Sequence, residues 1–480
     1  MRRLGFERRG ARMAATACGA ALCACATVET VVEDVAAFCA TEVFEVSTAE
    51  EGRDPDALCV PGTPCTLRAA LNSASFCRGA GPKTVRLQAG ATYTLTRADT
   101  PPSFLRAWTT REERRVGPAG LPRVFGRVTI DGEGATIARS AEASTRFRLL
   151  HVPEGGILNL RNVTLTGGSA YADVLLPDPR NQGGALLNEG TVWLRSVTLD
   201  RNEARSRVGQ SQGGAVYNAG YLTMDGGAIT GNTADEAAGI FNRVFVMLSG
   251  VTLSGNRSQA TDRGSVVLND RGGRVEIATT RFTGNETDDS PVYALGDLMV
   301  DQSTFDGNVG VNAGAVYVVS GQAELFRSTF HGNTARTGGV VVCASTRSAR
   351  LLLRDVTVHG NRGEIEGIGS ALSVACAAEV SNTALSENTP RNCGFSPLPA
   401  LSAPSFSSDD SCTGFALTGA SAGLGPLGDH GGRTPTLLPL PGSPLVDGGR
   451  RGCIAEDQRG RPRRDDRCDV GAVERQPGDG

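Results

Sequence analysis

The sequence is short of the side chains that most often carry chemistry or bind polyanions. Its 480 residues include four His, two Trp and a single lysine, Lys83, and aromatics make up only 5%. Few aromatics mean that any core is built from Val, Leu, Ile and Ala. The net charge of −3 gives no overall electrostatic reason to bind nucleic acid or an anionic membrane. There is no Cys-x-x-Cys, and with so few His a structural zinc site is poorly supported. No apolar run is long enough for a transmembrane helix. What the chain does have is 62 Gly within a 40% hydrophobic composition, which excludes a disordered chain and points to one elongated repetitive domain.

Residues 2 to 12 carry five Arg, and Met13 to Val28 is charge-free and Ala-rich, so residues 1–26 read as a signal peptide. Two endings stay open. Ala24-Cys25-Ala26 suits cleavage before Thr27, while Leu22-Cys23-Ala24-Cys25 resembles a lipobox that would place a lipid anchor on Cys25. Either ending predicts an extracellular location or the outer surface of a bacterium. Beyond Cys18, Cys23 and Cys25 in the leader stand ten more cysteines, an even number that predicts disulfides in an oxidising compartment. Spacing does not fix their pairing. A nested scheme joins Cys39 with Cys77, Cys59 with Cys65, Cys343 with Cys376, Cys393 with Cys412, and Cys453 with Cys468.

The architecture follows from a repeat. Asn recurs at 202, 232, 256, 285, 308, 333, 361 and 388, and six of the eight follow a Gly. Three residues before each stand Leu199, Ile229, Leu253, Phe282, Phe305, Phe330, Val358 and Leu385. The positions eight and ten before are equally apolar, from Leu194 and Val192 to Val380 and Ala378, and a ninth unit fits at Leu158, Leu160 and Leu165. An offset of two is the period of a strand buried on one face. A further short strand opens with Gly-Gly-Ala-Leu at 183 to 186 or Gly-Gly-Ala-Val at 213 to 216, and ends in a second column at Asn188, Asn218, Asn242 and Asn269. Such units cannot bury a core alone, but stacked in register they can. The prediction is an all-β chain folded as a right-handed parallel β-helix. Nine coils spaced by about 4.8 Å make a rod of roughly 43 Å. The Asn columns are expected to occupy left-handed turns and to pair their amides from coil to coil.

Both rod ends need covers. Residues 39–82 supply the first, with a short capping helix predicted after Pro64-Cys65-Thr66 and Thr66 as its N-cap. Repeats fill residues 83–389. Residues 390–475 lose the period, gain Pro, Ser and Gly, and read as an irregular disulfide-pinned C-terminal cap. Arg-rich 450 to 467, with Glu456, Asp457, Asp465 and Asp466, reads as ion-paired.

Two segments resemble known modules. Cys65-Thr-Leu-Arg-Ala-Ala, after Phe44-Glu-Val and Cys59, is similar to the CSLREA module of secreted bacterial β-helix proteins, departing at Thr66 and Ala69. Gly425-Pro-Leu-Gly-Asp-His-Gly-Gly-Arg-Thr-Pro-Thr, Pro441-Gly-Ser-Pro-Leu-Val-Asp, Asp457-Gln-Arg-Gly and Cys468-Asp-Val-Gly-Ala-Val-Glu474 resemble the choice-of-anchor Q region that closes many of them. The Gly-Gly-Ala-Val and Phe-x-x-Asn units resemble repeats of polymorphic outer-membrane proteins. These resemblances imply a pectin-lyase-like β-helix solenoid at the cell surface and leave its activity largely undefined; adhesion or an envelope role is the expectation drawn from the chain as a whole.

Insertions such as Ser169 to Gln182 follow the Gly-Asn turn, so one edge of the rod carries the loops. They collect acids: Asp235, Glu236, Asp262, Glu286, Asp288 and Asp289, then Glu364 and Glu366. These form a candidate cation or ligand-binding edge, with calcium the one cofactor they suggest, although a solvated acidic edge reads the same way. His331 and His359 share one repeat slot and read as outward turn residues, His151 and His430 lack ligand spacing, and Trp108 and Trp193 are expected in the core. No catalytic residue is assigned. The leading expectation is a non-catalytic exported binding or structural protein whose partner is a polysaccharide or cell-surface ligand. The alternative is a polysaccharide lyase or glycoside hydrolase working through the acidic loops.

Overall fold

The computed structural model describes residues 28–479 apart from 53, 101–114, 174–177, 208–209, 261, 345–346, 366–370, 395–399, 402, 450–452 and 465–466. Residues 1–27 with Cys18, Cys23 and Cys25, and also Trp108, Glu366, Asp465 and Asp466, lie outside the described residues. Strands stack into three sheets of 22, 8 and 10 strands, and every pairing between described strands is parallel. This is the right-handed parallel β-helix that the repeat predicts.

Each coil begins on the first sheet, as at Tyr221–Thr230. There the apolar columns three, eight and ten residues before the Asn point inward, and every member is buried except the half-buried Ala378. Register stacks like on like: Phe282 on Phe305 at 4.5 Å and Phe305 on Phe330 at 4.9 Å between ring centroids. One correction concerns the corners. The asparagines do not take the left-handed conformation themselves; the residues one and six before them do, as at Arg201 and Ser196 or Gly332 and Arg327. Glycine holds most of the positions one before, where its missing Cβ removes the steric penalty.

The asparagines instead run as buried ladders. Nδ2 of Asn256 donates to Oδ1 of Asn285 at 2.9 Å and to the Ile229 carbonyl at 2.8 Å, and the same pattern joins Asn202 through Asn388. The second column forms a shorter ladder, Asn188 to Asn218 to Asn242 to Asn269, at 2.6–2.8 Å. A buried amide is costly unless each of its groups finds a partner. The repeat supplies one above and one below.

The second sheet was not expected. Its strands follow the Asn and are two to four residues long, such as Thr233–Ala234 and Thr334–Ala335, too short to show alternation in the sequence. The third sheet carries the Gly-Gly-Ala strands, such as Leu186–Asn188 and Val216–Asn218.

At the start of the rod, the helix Leu67–Phe76 is capped by Thr66, whose Oγ1 accepts from the Ala69 amide at 3.2 Å. Arg68 within it is buried and paired with Glu51 at 2.7 Å and Asp99 at 2.9 Å. A second helix, Val28–Ala40, precedes it, and the lone lysine closes that helix: Lys83 Nζ donates to the carbonyls of Cys39 and Thr41 at 2.6 and 2.9 Å. Disulfides join Cys39–Cys77, Cys59–Cys65, Cys343–Cys376, Cys393–Cys412 and Cys453–Cys468.

The C-terminal region divides its work. Ala400–Leu401, Phe406–Ser407 and Leu417–Thr418 extend the first sheet past the last coil. Residues 422–479 then fold back along the corner of the rod. Gln458 donates to the Ser303 carbonyl and accepts from Thr329 Oγ1, Thr434 Oγ1 donates to the Gln302 carbonyl, and the Ala472 amide reaches Thr357 Oγ1.

Candidate functional site

On the third sheet, the residue after each inward Leu, Val or Ile points out. Those residues are Leu187, Tyr217, Phe241, Leu268, Tyr293 and Tyr317, in register over six coils. They form an apolar stripe on the outside of the rod, with Tyr217 stacked on Phe241 at 5.2 Å and Tyr293 edge-on to Tyr317 at 5.5 Å. Outward aromatic side chains on a sheet call for a cover or a ligand. Here the cover is nearly complete, leaving Leu187, Tyr217 and Phe241 at most 6% exposed. A cleft of about 370 Å³ reaches Leu187, Tyr217 and Phe241.

The variable loops form one wall. Gln182 Nε2 donates to Gln212 Oε1 at 2.8 Å, and Gln212 Nε2 donates to Glu236 Oε2 at 3.0 Å, a third ladder at the rim. Arg263 continues it, 3.7 Å from Glu236 and 3.1 Å from Asp270, with its guanidinium over the Phe241 ring. The opposite wall is Arg115, Glu189, Arg243 and Asp270. Charges in this cleft come in matched pairs, because Arg115 holds Glu189 at 2.7 Å and Asp270 faces both Arg263 and Arg243.

One end is closed by His151, wholly buried, whose Nε2 lies 2.9 Å from Glu189 Oε2. Burial pushes the His151 pKa down to about 4 despite that partner, so the ring is neutral near pH 7. A carboxylate can only accept, so Nε2 carries the proton and Nδ1 is left bare and unpartnered. Burial alone would raise Glu189, but the bonds from His151 and Arg115 carry its pKa down to about 2. Beside them the buried Arg148 donates to the carbonyls of Val116, Gln182 and Pro179 and so fixes the loop that ends the cleft.

Outside the cleft lining, just before the third-sheet strand Ser290–Ala294, Asp289 is 1% exposed, and its Oδ1 has no partner. Burial raises its pKa to about 7; a hydrogen bond from Asn312 opposes the rise and the charge of Asp262 adds to it. Tyr293 beside it is pushed up to about 12, again chiefly by burial.

The six acids predicted as one edge are therefore divided. Asp235 is held by Ser211, which donates from its amide at 2.9 Å and from Oγ at 2.7 Å, and Glu236 belongs to the rim. Glu286 stands on the second sheet, paired with Arg257 and exposed. Asp288 lies beside Gly264, while Asp262 is exposed and close enough to act on Asp289. Among the described residues no three His, Cys, Asp or Glu side chains converge as a metal site. His331 and His359 stack outward at 5.5 Å, as one repeat slot requires. Trp193 is a correction: it is 45% exposed on the outer face of the first sheet, because position nine before the Asn has the parity opposite to the buried columns.

Sequence reasoning missed the aromatic stripe and the His151–Glu189 pair. The stripe had a signal. Val216-Tyr217, Ile240-Phe241, Val292-Tyr293 and Val316-Tyr317 place apolar residues at both parities of one strand, which marks a strand covered on both faces.

No family model and no curated protein matches the sequence. Among solved structures the chain is similar to the crystal structure of pectate lyase Pel9A, with 12% identity and a TM-score of 0.40 over 92% of this chain and 100% of that one. At that identity and score the likeness says nothing of this chain's chemistry. No helix among the described residues is long and apolar enough to cross a membrane.

Proposed function

We propose that this chain is an exported, non-catalytic β-helix that binds a neutral polysaccharide in the cleft over its third sheet, as a surface adhesin or envelope protein of the CSLREA and choice-of-anchor kind. The observation that carries the reading is an aromatic floor, Tyr217 and Phe241, between walls of amides and mutually neutralised charges. Tyr217 and Phe241 are 6% and 2% exposed and stacked on each other, so they offer a sugar ring apolar edges at the cleft floor, and Gln182 and Gln212 supply amides for hydroxyl groups. A polyuronate would need surplus positive charge or a bridging cation, and each of the three cleft arginines already faces a carboxylate. Five disulfides fit an oxidising, extracellular setting.

For the hydrolase alternative, Asp289 is raised to about 7 by burial and so holds a proton near neutral pH, but it is 1% exposed and is not among the residues lining the cleft. Both readings are tested together by titrating the chain with xylan, mixed-linkage β-glucan, polygalacturonate and alginate, while reducing ends and unsaturated products are followed. Binding to a neutral polymer, weakened about tenfold by Tyr217→Ala and without product, is expected. Product formation abolished by Asp289→Asn would instead establish the enzyme, and binding confined to the polyuronates would contradict the neutral-ligand reading.

A further inference from the structure

The outer face of the first sheet carries an aromatic platform beside the cleft. Trp193 and Tyr221 are 45% and 59% exposed, although both lie in strands whose alternate residues are fully buried. Tyr221 is in register with Phe245, with ring centroids 6.2 Å apart, and Met247 follows two residues later on the same face. Trp193 is in register with Thr223 and Tyr221 with Thr191, so two exposed rings stand diagonally on neighbouring coils with threonines at the other two corners and Asn159 on the far side of Trp193. At the far side Arg195 and Asp225, also in register, form an exposed pair at 4.0 Å. The platform is therefore apolar in the middle, polar at its edge and without net charge.

Its position is as informative as its composition. Cleft and platform meet at one turn, Glu189-Gly190 and Ala219-Gly220, with Ala219 lining the cleft and Tyr221 opening the platform. Both glycines are required there, since a Cβ on Gly190 would lie 2.3 Å from the Gly156 carbonyl oxygen and one on Gly220 would lie 2.0 Å from that of Gly190. No side chain can rise from those two positions to separate the two surfaces.

We propose that Trp193, Tyr221 and Phe245 form a second saccharide-binding surface, which takes the flat C–H face of a neutral, extended polysaccharide chain where it leaves the cleft. The occupant follows from the geometry. A second copy of the chain would need roughly 800 Å² on each side, whereas two aromatic side chains bury about 150–250 Å² each even when wholly covered. An acidic or basic protein partner would meet the neutral Arg195–Asp225 edge. Rings spaced by sheet register, flanked by Thr and Asn, match stacking plus hydroxyl hydrogen bonds. The proposal does not depend on the cleft being occupied.

The sequence has two tryptophans, so Trp108→Phe leaves Trp193 as the only indole and its emission as a local reporter. In this full-length variant, titration with cellohexaose, xylohexaose and chitohexaose is expected to shift that emission to the blue with at least one of them. Tyr221→Ala should then raise Kd about tenfold, with the melting temperature unchanged because the ring is exposed. Tyr217→Ala should weaken binding while the Trp193 response persists at saturation. Hexaose binding by calorimetry that Tyr217→Ala abolishes, with Trp193 silent, would overturn the platform and leave the cleft reading standing. No emission change with any of the three sugars, or a dimer that Trp193→Ala dissolves, would overturn it outright.

Discussion

The rod and the tail that lies along it solve the same problem, burial of polar atoms, in opposite ways. In the rod every pairing is parallel and the buried polar groups that recur from coil to coil are amides, each asparagine satisfied by its copy one coil away. In residues 422–479 the bridges are antiparallel and the buried polar groups are charges. Asp457 and Arg459 meet at 2.9 Å with no exposure, Glu474 lies between Arg463 and Arg464, and Asp355 of the rod faces Arg463 across the contact. Burial raises the pKa of Asp355 and of Asp469, so these carboxylates depend on the arginines and amides around them. A repeated neutral ladder tolerates a local fault, because the neighbouring rungs persist. A single charge cluster has no second copy.

That contrast sets the sizes of the expected effects. Asp457→Ala leaves Arg459 buried without its nearest carboxylate, and losing one partner of such a pair typically costs about 3–5 kcal/mol. The expected outcome is release of the tail, seen as new proteolytic cleavage within residues 422–479 while the far-ultraviolet signal of the rod persists. The matched change in the rod, Asn308→Ala, orphans groups on Asn285 and Phe282, at about 1–3 kcal/mol. It should lower the midpoint of whole-rod unfolding in denaturant without exposing the tail. If Asp457→Ala instead lowered the stability of the entire rod, or Asn308→Ala freed the tail, the two regions would be one cooperative unit and the contrast would fail.

A smaller effect separates two buried titratable groups of the rod, Asp289 and His151. Asp289 has a folded-state pKa of about 7, against roughly 3.9 in an unfolded chain. It holds a proton that unfolding releases, so its contribution is complete below the unfolded value and is lost as pH rises through 7. His151 works the other way: its folded value of about 4 lies below the unfolded value of roughly 6.5. Unfolding therefore takes up a proton, and stability falls as pH drops from 6.5 towards 4. Melting curves of wild type and Asp289→Asn should nearly coincide at pH 4 and diverge by pH 8 in favour of the variant. Divergence at pH 4 and not at pH 8 would contradict the placement of the carboxyl.

The same contrast explains what could be read from the sequence. The columns three, eight and ten before each asparagine are legible because nine coils repeat one rule, and both amide ladders can be seen as columns. The residues six before, which turn the corner in a left-handed conformation, include Ser196, Thr279, Gln302 and Arg327 and show no common type, since the tightness of the stack rather than the residue holds the turn. The second sheet leaves no alternation in strands of two residues. The partnership of Gln458 with Ser303 and Thr329 joins segments about 130 to 155 residues apart, and that of His151 with Glu189 lies in a slot where the next coils carry Leu187 and Tyr217. Such contacts occur once and cast no periodic shadow. In the resembled C-terminal segments, Asp457, Gln458, Asp469 and Glu474 serve to fasten the tail to the rod and to itself.

The central claim is that the outside of the third sheet and the adjoining turn hold a sugar chain. Amide hydrogen exchange of the full chain, with and without saturating neutral hexaose, addresses it most directly. Added protection is expected in residues 187–193, 217–223 and 241–247, the three coils that contribute both cleft and platform, with the tail unaffected. Protection confined to the acidic loops around Asp262 and Glu286, or to residues 422–479, would contradict it.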